Sequence, residues 1–213
     1  MSFSKKFLLG SLLAVSATSA FAVETADLRV IGTIAPGACT PVFAGGATVD
    51  YGVIPLASLS QTADTALGSR DVNYTISCNA PIAISATWSD ARAASVTNPN
   101  AARYGLGTHN GTNIGRYGVS YVVAGTTADG NPITLIQRAN PTAAWTAGVN
   151  TIGTSPNGLL AVSFAKVGEV VPSAFSTYAG TIRVTTLIDP IQNLDTTTDV
   201  ALDGLSTMTV NYL

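Results

Sequence analysis

The chain is poor in reactive groups. Among its 213 residues it carries one histidine, His109, and two cysteines, Cys39 and Cys78, and charged residues make up 10% of it. Each scarcity excludes something. A Ser-His-Asp triad would have to use His109, which stands in Gly107-Thr108-His109-Asn110-Gly111, the sequence of a turn tip. Neither a Gly-x-Ser-x-Gly elbow nor a His-Glu-x-x-His pair occurs. One histidine and two thiols fall short of the tetrahedral ligand set of a structural zinc site. Aspartates are scattered widely, so a glycosidase-type carboxylate pair would discriminate nothing. No enzyme activity, metal or cofactor is expected.

Lysine is also scarce. Two of the three, Lys5 and Lys6, sit before the apolar stretch Phe7–Ala17, which ends at the small-x-small site Ala20-Phe21-Ala22. This is the layout of a secretory signal peptide over residues 1–22, cleaved after Ala22. The run is shorter than the ~20 apolar residues a membrane-spanning helix needs. Residues 23–213 then form the mature chain, expected as one domain, with Lys166 and seven arginines against twelve acids, a net charge of −4. No basic patch exists to neutralise phosphates, so no nucleic-acid partner is expected. Disorder would need low hydrophobicity, and 46% of the residues are hydrophobic. An exported chain with two cysteines predicts one disulfide, Cys39–Cys78.

No segment after the signal carries a helical stripe, although Ile188–Leu194 has room for a single turn. The period present is two. Val72, Tyr74, Ile76 and Cys78 alternate with polar residues, and Ile82, Ile84, Ala86 and Trp88 share one parity. Leu160, Val162 and Phe164 alternate with Ala161 and Ser163, and Tyr178, Ile182, Val184 and Ile188 share another parity. Met208, Val210 and Tyr212 close the chain in the same way, with Thr209 and Asn211 pointing outward. Half-buried strands produce this pattern. Clusters such as Ala44-Gly45-Gly46, Asn98-Pro99-Asn100, Asp129-Gly130-Asn131-Pro132 and Ser155-Pro156-Asn157-Gly158 separate the strands. The reading is an antiparallel all-β sandwich. Asp129-Gly130 predicts a hairpin turn, and Asp90-Ala91-Arg92 a local ion pair at a strand end.

The ordered combination of an apolar run with a central glycine (Leu28, Val30, Gly32, Ile34), Cys39, the alternating run to Cys78 and a C-terminal strand with a penultimate tyrosine (Met208, Val210, Tyr212, Leu213) resembles pilin-type subunits of the chaperone-usher fimbrial pathway. That resemblance implies an immunoglobulin-like sandwich lacking its last strand, with Leu28, Val30, Gly32 and Ile34 in the first strand. It implies Met208, Val210, Tyr212 and Leu213 as the strand met by an assembly chaperone. The partners implied are a periplasmic chaperone, an outer-membrane usher and other fimbrial subunits, with passage from the periplasm to the cell surface. The segments Ala91-Arg92-Ala93-Ala94-Ser95-Val96, Tyr104-Gly105-Leu106-Gly107, Ile114-Gly115-Arg116-Tyr117 and Leu202-Asp203-Gly204 are similar to a narrower bacterial exported family with a domain of unknown function. Ahead of the run, Val23–Arg29 has Leu28 as its one good apolar residue and carries Glu24 and Asp27, which suits an acceptor of a strand better than a donor. The rival function is a complete, monomeric exported sandwich, carbohydrate-binding or adhesin-like, with aromatic residues lining the sugar site.

Overall fold

The structure, a computed structural model, describes residues 29–31 and 37–213. By backbone contacts the chain divides between Ala35 and Pro36, and the unit that follows holds every strand among the described residues. The strands are β1 Cys39–Phe43, β2 Thr65–Ile82, β3 Ile84–Asp90, β4 Tyr104–Gly105, β5 Thr108–His109, β6 Thr112–Asn113 and β7 Gly115–Ala128. They continue with β8 Asn131–Pro132, β9 Thr134–Arg138, β10 Thr146–Ala147, β11 Thr151–Gly153, β12 Ala161–Ala165, β13 Phe175–Ile188 and β14 Ser206–Tyr212.

All pairings between these strands are antiparallel, and two sheets pack as a sandwich. The first runs β1-β2-β13-β7, with β4, β11 and β8 in tandem along the far edge of β7. The second runs β10-β9-β12-β3-β14. The β5–β6 pair is a separate hairpin turning through Asn110-Gly111, both with positive φ, so His109 does stand at a turn tip. Asp129-Gly130 likewise turns β7 into β8 with positive φ at both residues, as its sequence predicts. The single turn expected after Ile188 is a short 3-10 turn at Ile191–Asn193.

Alternation decides which side chains meet between the sheets. Tyr74, Ile76, Tyr178 and Ile182 of the first sheet face Ile84, Ala86, Trp88 and Phe164 of the second, all buried. β12 departs from expectation. Ala161, Ser163 and Ala165 are buried along with Val162 and Phe164, so this central strand is enclosed on both faces. Ser163 is accommodated there because its hydroxyl donates to the Ile84 carbonyl at 2.6 Å. The predicted disulfide is present, with Cys39 and Cys78 directly opposite in the β1–β2 register.

The core is rich in tyrosine, whose hydroxyls favour a partner when carried inward; the buried Tyr74 hydroxyl makes no hydrogen bond among the described residues, whereas Tyr121 and Tyr104 are engaged. Trp88 Nε1 donates to Tyr121 Oη at 3.0 Å, and Tyr104 Oη lies 2.6 Å from Thr154 Oγ1. Room is made by small residues. Gly180 stands opposite Tyr74, and a Cβ on it would come within 2.7 Å of the Tyr74 hydroxyl. Burial raises the pKa of Tyr74, Tyr104, Tyr121 and Tyr178 above the ordinary phenol value and pushes Tyr117 up to about 12. A raised folded-state pKa means that the folded state keeps the neutral phenol longer than the unfolded chain does. The associated stability is complete below the unfolded value of about 10 and is lost as pH rises through the folded values. The urea midpoint is therefore expected to fall between about pH 10 and pH 12, with phenolate absorbance growing in step with loss of the folded signal. Full phenolate absorbance with the fold intact would contradict this arrangement of the core.

Candidate functional site

Among the described residues, two strand edges are left without a partner on one side of the sandwich. β1 covers only Tyr74–Cys78 of β2, so the outer edge of Thr65–Asn73 is unpaired among the described residues. β14 pairs with β3 and ends the second sheet. Cys39 N donates to Tyr212 Oη at 2.9 Å, which ties the start of β1 to the end of β14 and places both edges on the same side.

Between these edges lies a cleft of about 400 Å³. Its floor is apolar, formed by Val72, Val119, Ile182, Val184 and Trp88. These residues come from β2, β7, β13 and β3, so the cleft is the sandwich core seen from its open side. Phe43, whose ring centroid lies 6.0 Å from that of Trp88, borders the cleft where β1 stops. Tyr51 enters the mouth from the segment after β1, and its hydroxyl lies 3.0 Å from Thr186 Oγ1. Leu202, Leu205 and Ser206 line the β14 side.

The end of the cleft at the start of β14 is built by the four segments singled out in sequence. Asp90 accepts hydrogen bonds from Arg92 N at 2.7 Å and Gly105 N at 2.8 Å. Ser95 Oγ donates to Arg92 O and accepts from Gly107 N. Leu106 O accepts from Asp203 N, and Ala91 N donates to Leu205 O. The Arg92 guanidinium reaches Asp203 at 2.8 Å rather than Asp90, so the expected local pair is replaced by one across more than a hundred residues. Asp90 is engaged by backbone amides, which removes it as a partner. The Arg92 hydrogen bond lowers the pKa of the exposed Asp203 carboxyl. Two glycines are needed here for space. A Cβ on Gly105 would approach Arg92 O to 2.2 Å, and one on Gly204 would approach the Tyr117 ring to 2.8 Å. Tyr117 stacks on Tyr104 with centroids 5.2 Å apart, closing this end.

An ion cluster built on a buried arginine stands beside this junction. Arg116 of β7, 5% exposed, pairs with Asp64 just before β2 and with Asp189 just after β13 at 3.4 Å. Thr97 Oγ1 donates to Asp189 at 2.7 Å. The guanidinium thus joins the ends of three first-sheet strands to the loop after β3. No group of three or more histidine, cysteine, aspartate or glutamate side chains suited to a metal occurs among the described residues.

The predicted C-terminal residues fall along β14. Met208 is buried opposite Trp88, Val210 is half-buried opposite Ala86, and Tyr212 is 53% exposed opposite Ile84. Thr207 and Thr209 face outward, and Asn211 Nδ2 donates to Thr87 Oγ1 on the outer face. Leu213 is exposed at the end, its amide donating to Ala83 O. The predicted first-strand residues land differently. Val30 is 88% exposed with no strand, while Leu28, Gly32 and Ile34, like the predicted signal at 1–22, lie outside the described residues. The first strand among the described residues begins at Cys39 instead of preceding it. Sequence reasoning missed Tyr51, Asp64 and the cleft floor. The shared parity of Ile182 and Val184 was visible, but nothing marked which core residues would lie at an open edge.

The pattern of the family described as a protein of unknown function, DUF1120, matches residues 28–134. Protein GltF of Escherichia coli (strain K12) is 29% identical over an alignment 243 positions long, covering 94% of this chain and 94% of its own. Uncharacterized protein YhcF of the same strain is 27% identical over 241 positions, covering 95% of this chain and 98% of its own. The family match takes in β1 to β8, and with them the unpaired edge of β2, most of the cleft floor and Arg116. With half of its residues inside that pattern, this chain belongs to the DUF1120 family.

Proposed function

We propose that this chain is an exported, non-catalytic subunit of a fimbria-type surface assembly, an incomplete immunoglobulin-like sandwich that accepts a β-strand from a partner. One observation carries the reading: among the described residues, the outer edges of β14 and of the Thr65–Asn73 half of β2 are unpaired, and an apolar cleft lies between them. Unpaired edges beside apolar surface are an aggregation hazard that soluble proteins cover. A strand laid along such an edge gains main-chain hydrogen bonds, and its alternate side chains fill the cleft. The resemblance of the cysteine and C-terminal layout to chaperone-usher subunits supports the same reading, with a periplasmic chaperone as first partner and an usher and other subunits after it. Sugar recognition wants an aromatic face open to solvent. Trp88 is 5% exposed with its indole N–H engaged by Tyr121, and the Trp145 ring is covered by the Arg138 guanidinium at 4.6 Å.

The test is expression in the periplasm with and without a co-expressed chaperone of the fimbrial class. A one-to-one complex is expected, in which the amides of β14 gain protection from hydrogen exchange. Recovery of the same yield of monomer in both cases, with β14 protection unchanged, would overturn the proposal.

A further inference from the structure

Strand acceptance requires the cleft mouth to be free when the partner arrives, and in this structure it is not. We propose that Tyr51 is an intramolecular latch: its ring occupies the mouth of the cleft in the place of a missing strand's side chain and must swing out before a strand can enter. The inference rests on the strand-acceptor reading.

The segment carrying Tyr51 is hinged and thinly held. After β1 ends at Phe43 the chain leaves β2 through Gly45, Gly46 and Ala47, with φ of 70°, 73° and 62°. A Cβ on either glycine would meet nothing within 4 Å, so the glycines serve the left-handed backbone and not a close approach. Gly52, with φ of 63°, follows on the other side of Tyr51. Among the described residues no backbone hydrogen bond joins Thr48–Ile54 to a strand. The Gly52 amide is satisfied locally by Asp50.

Val49 and Ile54 of this segment are half-buried, and its side-chain hydrogen bonds to strands come from Tyr51. Its hydroxyl lies 3.0 Å from Thr186 Oγ1 and 3.4 Å from Gly68 O. It has one proton to give, and either oxygen can take it. Thr186 is buried on β13, whereas Gly68 is a positive-φ residue on the unpaired half of β2, where the β2–β13 register shifts by one residue. A hydroxyl within reach of both requires the ring to lie across the mouth. Arg70, on the same stretch of β2, sets its guanidinium 5.0 Å over the ring. The latch is therefore a hydrogen bond and a cation–π contact on a hinged loop, strong enough to cover the edge and weak enough to yield.

The probe is a fluorescein-labelled peptide of about eleven residues alternating leucine or valine with threonine, the pattern an added strand requires. Its association with the wild type, Tyr51→Phe and Tyr51→Ala proteins is followed by stopped-flow anisotropy. Tyr51→Ala is expected to associate about tenfold faster than wild type. Tyr51→Phe, which keeps the ring and guards against a folding defect, should be about threefold faster. Equal association rates for all three overturn the latch and leave strand acceptance standing. Binding by none of the three overturns the latch and strand acceptance together.

Discussion

Replacing Arg116 by alanine is expected to destabilise the fold by about 2–3 kcal/mol, short of the ~3–5 kcal/mol of a fully buried pair because Asp64 is open to solvent. The residue is 5% exposed, and its guanidinium faces Asp64 and Asp189 together. Without it Asp64 is left to solvent, while the less exposed Asp189 retains its hydrogen bond from Thr97 and no ion pair. The cluster joins the start of β2, the start of β7 and the end of β13, so its loss frees the cleft-end junction as well as lowering global stability. Urea unfolding monitored by fluorescence provides the measure. A triple variant, Arg116→Met with Asp64→Asn and Asp189→Asn, is expected to recover much of the loss, because neutral amides do not need the arginine. A loss below about 1 kcal/mol for Arg116→Ala would place the cluster with ordinary surface ion pairs and refute this account.

Cys39→Ser is expected to cost about 2–5 kcal/mol, with about 3–4 kcal/mol assigned by the chain-entropy model to a bridge spanning 39 residues. The bridge ties five-residue β1 to β2, and β1 is the strand that covers part of an otherwise open edge. Its loss exposes more of β2, in the same row as the edge that is unpaired among the described residues. Urea midpoints with and without a thiol reductant check this. The wild type should fall on reduction to the level of Cys39→Ser, and the variant should not respond. Identical midpoints for the oxidised and reduced wild type would show that the bridge contributes no stability.

Much of the architecture was legible because strand periodicity is a local property. Tyr74 and Ile76, Ile84 to Trp88, and Tyr178 with Ile182 were assigned inward by parity alone, and the structure buries them. Turn chemistry was equally local. Asp129-Gly130 and Asn110-Gly111 take the positive φ that their sequence suggests. The disulfide followed from the cysteine count, since two thiols leave one intramolecular pairing. β12 was misjudged on one face. Alternation of Ala161 and Ser163 with larger residues reads as half-buried, yet small residues also suit a strand enclosed on both sides, and parity cannot tell these apart.

The sequence by itself determined the fold class, inward-facing residues of β2, β3 and β13, the covalent cross-link and the poverty of catalytic groups. Only the tertiary structure decided which strands would be edges, because an edge is the absence of a neighbour and no residue encodes that absence locally. It also decided that Arg92 pairs with Asp203 instead of the adjacent Asp90. Likewise it brought Arg116, Asp64 and Asp189 together from separate strand ends. Each pairing depends on the distance between parts of the chain far apart in sequence, which sheet order alone sets. The cleft has the same origin. Val72, Val119, Ile182 and Trp88 are ordinary core residues in sequence, and they form a site because β1 stops at Phe43 and, among the described residues, no strand pairs with the outer edge of β14.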